Sequence, residues 1–169
     1  MQNITPFFWF DDNAEEAVNF YVSTFKNSKI NAINRYGDAG PGSKGAVMTI
    51  SFQLDGTDFV ALNGGSRNLD GRDLGPEYRL SSSRAVSFVV SCQTQAELDD
   101  LWEKLAQGGE TLQCGWLTDR YGVTWQIVPA GLGELLGDED PEKVGRAMKA
   151  ILEMEKIDIN VLRAAAGQT

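Results

Sequence analysis

Apolar residues along this chain fall into short runs and helical stripes that occur twice in the same order. Residues 4–10 are apolar and too short for a helix, so they predict a strand, and Asp12-Asn13-Ala14-Glu15 has the pattern of a capping box with a helix from about Ala14. Ala14, Ala17, Val18, Tyr21 and Phe25 recur at helical spacing and form one stripe able to cover a sheet face. A strand at 29–36, a glycine-rich loop at 37–45 and two further strands, Val47–Leu54 and Thr57–Asn63, complete the first group. Asp55-Gly56 between those last two runs predicts a tight hairpin, because both turn positions take positive φ.

The second group opens with a strand at 85–91 and the capping box Thr94-Gln95-Ala96-Glu97. Leu98, Leu101, Trp102 and Leu105 line one helix face, and Gly108-Gly109 ends it. Strands are expected at 111–114, 116–118 and 123–128, with a turn at 119–122. Phe88, Val90, Glu97, Leu101 and Trp102 stand about eighty positions after Phe7, Trp9, Glu16, Phe20 and Tyr21, which makes the chain an internal repeat. The predicted fold is α+β: a first βαβββ module over 1–66, an inter-module loop over 67–83, a second βαβββ module over 84–130 and a helical segment over 131–169. In that last segment Asp140-Pro141 caps a helix whose stripe is Val144, Ala147, Met148, Ile151 and Leu152, and Asp158 caps a short final helix. These helices need a surface to cover, either the sheet or a partner chain.

Composition narrows the function classes. A length of 169 residues with 42% hydrophobic content gives room for a real core. No run approaches the roughly 18 apolar residues of a membrane span, and residues 1–12 lack a signal-peptide pattern, so a cytoplasmic, non-membrane protein is expected. Cys92 and Cys114 are then expected as reduced thiols. A net charge of −9 opposes binding to nucleic acid. The chain has no histidine, which removes the commonest metal ligand and the commonest neutral-pH general base. The loop at 37–45 lacks P-loop spacing, and no Gly-x-Gly-x-x-Gly opens a helix, so no cofactor is expected.

The densest chemistry lies at 114–129, where Trp116, Asp119, Arg120, Tyr121, Trp125 and Gln126 fall close together. One reading is a small-molecule pocket with aromatic walls, in which Asp119 and Arg120 orient a polar ligand. The other is a turn held by an Asp119–Arg120 ion pair, with Trp116 and Trp125 in the core. Phe8, Met48 and Asn63 are the candidates from the first module to face the same ligand.

Several of these pieces together resemble the PhnB-like branch of the glyoxalase/bleomycin-resistance (vicinal oxygen chelate) superfamily, often labelled a 3-demethylubiquinone-9 3-methyltransferase domain. They are Ile4-Thr5-Pro6 with Trp9-Phe10-Asp11, Ala14-Glu15-Glu16-Ala17 with Phe20-Tyr21, Tyr36-Gly37 with Ala39-Gly40-Pro41-Gly42, Phe59-Val60-Ala61-Leu62-Asn63-Gly64-Gly65, the stretch from Gly115-Trp116 to Pro129, and the ending from Met154 to Ile159. The resemblance implies modules that each curl into half a barrel around a concave site, assembled as a homodimer. It also implies divalent-metal positions near Thr5, at 60–63, at Val86 or Ser87 and at Gln126, of which only Gln126 is a plausible ligand. Ser66-Arg67-Asn68 replace the His that the family often carries after its paired glycines. The expected function is therefore binding of a small molecule between the modules, catalytic or not, with no inherited metal site. The alternatives are a metal-dependent lyase or dioxygenase, a drug-sequestering resistance protein, and a structural or interaction module.

Overall fold

The computed structural model describes residues 4–38, 42–65 and 86–167. The chain divides into two compact units, residues 1–83 and 84–169. The first contains β1 (Phe7–Phe10), α1 (Ala14–Thr24), β2 (Lys29–Arg35), β3 (Val47–Leu54) and β4 (Thr57–Asn63). The second contains β5 (Phe88–Cys92), α2 (Gln95–Ala106), β6 (Glu110–Thr111), β7 (Trp116–Thr118) and β8 (Thr124–Pro129), followed by α3 (Leu132–Leu136), α4 (Pro141–Leu152) and α5 (Ile159–Ala165). The strand orders β1-β4-β3-β2 and β5-β8-β7-β6 are equivalent, and in each sheet the first strand runs parallel to the last while the others are antiparallel. The α+β fold of two βαβββ modules with C-terminal helices is thus present as read from the repeat. The segments 39–41 and 66–85, which hold part of the glycine-rich loop, the whole inter-module loop and the predicted strand start at Ala85, lie outside the described residues.

In the first unit the stripe on α1 does what its spacing requires. Ala14, Ala17, Val18 and Tyr21 are fully buried, together with Ile50, Phe52 and Ala61 of the sheet. The Phe8 and Phe52 rings each lie 5.5 Å from that of Phe59, a distance at which aromatic pairs add to simple area burial. The start of α1 differs from the expected capping box. Asn13 is the N-cap residue but its side chain makes no capping bond. Instead Asn63 Oδ1 accepts from the Ala14 amide at 2.8 Å, while Asn63 Nδ2 donates to the Val47 carbonyl at 3.1 Å. The Tyr36 hydroxyl donates to the Asn63 carbonyl at 2.7 Å. The reason is topological: β4 runs parallel to β1 with Asn63 beside Phe10, so its end arrives where the helix begins.

In the second unit Thr94 caps α2 by accepting from the Glu97 amide at 3.2 Å, and the Glu97 carboxylate accepts from the Gln93 amide at 2.9 Å. Leu98, Leu101, Trp102 and Leu105 are buried, as are Leu117, Trp125 and Ile127 on the sheet. β6 is shorter than predicted because the chain turns before β7, with Cys114 and Gly115 at φ of 65° and 79°. Their amides donate to the carbonyls of Met154 and Glu155, each at 2.7 Å. A side chain at Gly115 would meet the Ile127 carbonyl oxygen at 2.7 Å, which explains a glycine there. Neither Cys92 nor Cys114 takes part in a disulfide.

The C-terminal segment covers the second unit itself. Ile157 is fully buried, and Gln95 on α2 donates to its carbonyl at 3.1 Å and accepts from the Ile159 amide at 2.7 Å. Lys156 pairs with Asp99 of α2 at 2.7 Å. Asp140 and Asp158 cap α4 and α5 as their positions predicted. The short α3 carried no local pattern strong enough to announce it.

Replacing Asn63 with Ala removes two hydrogen bonds and leaves the Ala14 amide and Val47 carbonyl without them. A loss of roughly 1–3 kcal/mol is expected in urea unfolding. The Asp99 carboxyl is held below the usual aspartate range, first by its hydrogen bond to Lys156 and then by Gln95. Because the folded value is depressed, the clamp is complete above the ordinary aspartate pKa of about 4 and is lost as pH falls through the lowered one. The difference in urea midpoint between wild type and Asp99→Asn is therefore expected to shrink on acidification below about pH 4.

Candidate functional site

Strand alternation sorts the side chains of the second sheet into two sets. Trp125 and Ile127 of β8 and Leu117 of β7 are at most 2% exposed and face α2, and the Phe88 ring lies 5.5 Å from that of Trp125. The intervening residues project from the other face. There Trp116 stands opposite Gln126, Thr118 opposite Thr124, and Val89 beside Gln126. Gln126 Nε2 donates to Ser87 Oγ at 2.8 Å, and the Thr118 and Thr124 hydroxyls lie 3.5 Å apart. This face thus combines a half-buried indole, the half-buried amide of Gln126 and hydroxyl of Ser87, and, deeper, the hydroxyls of Thr118 and Thr124, which are 7% and 4% exposed. Trp116 also borders a wide hollow of ≈ 540 Å³ shared with Thr111, Gln113, Cys114 and Glu155.

Asp119 is 3% exposed and closes the turn between β7 and β8. Its Oδ1 accepts from the amides of Tyr121 at 2.9 Å and Val123 at 3.0 Å, and its Oδ2 accepts from the Trp125 indole at 2.8 Å. The carboxylate and the Trp125 ring therefore belong to the scaffold behind the open face. Arg120 is exposed on the same turn, with its guanidinium 5.2 Å from the centre of the Tyr121 ring.

Of the first-module candidates, Phe8 is 3% exposed among the rings of Phe10, Tyr21, Phe52 and Phe59. Met48 is half-buried at the irregularity where Arg35 pairs with Val47 and Asn34 with Thr49. The Asn63 amide is taken up at the α1 start. The face of that sheet turned away from α1 carries Phe7, Trp9, Val60, Leu62, Thr49 and Ser51 instead, with Phe7 55% exposed. Of the residues read from sequence, Trp116 and Gln126 come together on one face, while Asp119 and Trp125 stand behind it. Sequence reasoning missed Thr118 and Thr124, although each lies two positions from Trp116 or Gln126 and so shares its face.

An α+β pair of βαβββ units with helices on one side of each sheet defines a glyoxalase-like protein. Residues 2–128 match the family model described as 3-demethylubiquinone-9 3-methyltransferase, and the chain belongs to this PhnB-like family of the glyoxalase/bleomycin-resistance superfamily. It is 36% identical to a Bacillus cereus PhnB protein assigned provisionally to that activity, covering 75% of this chain and 99% of the other at a TM-score of 0.62. Protein PA1353 of Pseudomonas aeruginosa shares the fold at 22% identity and a TM-score of 0.56, covering 76% of this chain and 97% of the other. A single-residue mutant of the fosfomycin resistance protein FosX of Listeria monocytogenes, solved with manganese and a dihydroxypropylphosphonic acid, shares it at 16% identity and a TM-score of 0.50, covering 80% of this chain and 98% of the other. No curated protein sequence matches the chain.

The superfamily's metal chemistry finds no matching donor set among the described residues. Among the described residues no three His, Cys, Asp or Glu side chains converge as a metal-holding group. At the positions implied by the resemblance in the second unit the oxygen ligands on offer are the Gln126 amide and the Ser87 hydroxyl, which already bond each other, and in the first unit the Asn63 amide is engaged by the Ala14 amide and the Val47 carbonyl. Neutral oxygen donors of this kind hold a divalent cation weakly.

Replacing Asp119 with Ala strips the acceptor from two turn amides and a buried indole. The expected cost is roughly 2–4 kcal/mol in urea unfolding, accompanied by a changed Trp125 environment in near-UV circular dichroism.

Proposed function

We propose that this protein binds a small uncharged organic molecule on the open face of its second sheet, without a metal chelate. The observation that carries the reading is the alignment of Trp116, Gln126, Thr118, Thr124 and Ser87 on one side of β7 and β8, away from α2. An indole supplies flat apolar area, and the amide and hydroxyls supply donors and acceptors without charge. That set suits a ligand with a ring or short hydrocarbon body bearing hydroxyl or carbonyl groups. Methyl transfer, the activity in the family's description, is not part of the proposal, because a shared fold does not carry an activity with it. The apolar side chains left exposed on α4 and α5, Met148, Leu152 and Val161, favour a homodimer, which a mass measurement under non-denaturing conditions would test.

The experiment is a titration of the isotope-labelled protein with a panel of hydroxylated aromatic and aliphatic fragments, followed by amide and indole NMR shifts. The expected result is saturable shifts at Trp116, Thr118, Thr124 and Gln126, with affinity falling about tenfold or more in Gln126→Leu. Fragments that shift none of these four resonances, or that bind Gln126→Leu unchanged, contradict the reading.

A further inference from the structure

On the helix-bearing side of the second unit, the segment that follows the family-matched residues encloses another hollow. Its volume is ≈ 340 Å³, within the range of small-ligand sites. The floor is Cys92, Pro129, Ile159 and Leu162, of which Cys92, Ile159 and Leu162 are at most 6% exposed. This floor is fixed in place: the Ala130 amide donates to the Cys92 carbonyl at 2.8 Å, and the Ile159 amide donates to Gln95 Oε1.

The rim is charged, and the charges are not equivalent. Lys143 and Asp138 form an ion pair, so together they present no net demand. Glu134 and Arg163 also line the hollow, and neither has an ion-pair or hydrogen-bond partner among the described residues. An apolar floor thus lies under one uncommitted carboxylate and one uncommitted guanidinium. A simple anion would meet Arg163 but be opposed by Glu134, and a simple cation the reverse. A molecule carrying both charges satisfies both, and a guanidinium matches a carboxylate with two parallel hydrogen bonds.

We propose that this hollow binds a small zwitterion of the amino-acid type. Its carboxylate lies on Arg163, its ammonium on Glu134, and its apolar side chain over Cys92, Ile159 and Leu162. This site is independent of the open face, because Cys92 and Pro129 project to the side of the sheet opposite Gln126 and Trp116.

The test uses the full chain, isotope-labelled, titrated with L-leucine, L-methionine and L-phenylalanine. Two half-molecules are added in parallel: 4-methylpentanoate, which lacks the ammonium, and 3-methylbutylamine, which lacks the carboxylate. The proposal expects saturable shifts of the Gln93, Gly131 and Arg163 amides with at least one amino acid. It expects each half-molecule to bind about tenfold or more weakly, and Arg163→Gln and Glu134→Gln each to weaken the amino acid by a similar factor. Both substitutions are at exposed positions and leave the core resonances in place as the control for folding. The proposal is overturned if no amino acid gives saturable shifts up to about 10 mM. It is equally overturned if both variants bind as wild type does, if the half-molecules bind as well as the amino acid, or if the shifts fall on Trp116 and Gln126 instead.

Discussion

The site depends on one buried carboxylate. Asp119 holds two turn amides and the Trp125 indole at once, and so fixes which residue of β8 stands opposite which residue of β7. A slip of one residue in that pairing would send Gln126 into the core and Trp125 to the open face, because side chains alternate with a period of two. Trp116 and Gln126 stand on the open face because the opposite one has been filled by Trp125, Ile127 and Leu117 under α2. Burying an ionised group is costly unless it is well bonded, and three donors on two oxygens meet that condition.

The two units solve the same problem with different means. Each places a helix over one sheet face and brings its last strand beside its first. In the first unit the last strand then caps the helix through Asn63, whereas in the second Thr94 caps the helix locally and the C-terminal strap ties it down through Gln95 and Asp99. The strap also holds the turn before β7 through the Met154 and Glu155 carbonyls. A segment beyond the family-matched residues thereby supports the strand that carries Trp116, and its helices enclose a hollow with chemistry of its own.

The repeat was legible in sequence because capping boxes and helical stripes are local patterns: both helices begin at the predicted residues, Ala14 and within a residue of Thr94. The Asp55-Gly56 hairpin and the caps at Asp140 and Asp158 were legible for the same reason. The Asn63 cap was not, since its donor lies 49 positions away in the chain. Nor did the apolar run from Phe7 to Phe10 say which residues face α1, because a run without alternation has no readable face; Phe8 lies in the core and Phe7 outside it. At 114–129 the sequence offered pocket and scaffold together. Trp116 and Gln126 belong to the open face, Asp119 and Trp125 to the support behind it.

The most direct measurement of this arrangement is hydrogen exchange at the indole N–H groups of Trp116 and Trp125, followed by NMR in deuterated water. The account predicts that the Trp125 indole, bonded to Asp119 and 2% exposed, exchanges slower than that of half-buried Trp116 by orders of magnitude. Equal exchange, or protection of Trp116 in place of Trp125, would contradict the strand register and with it the face on which the site is built.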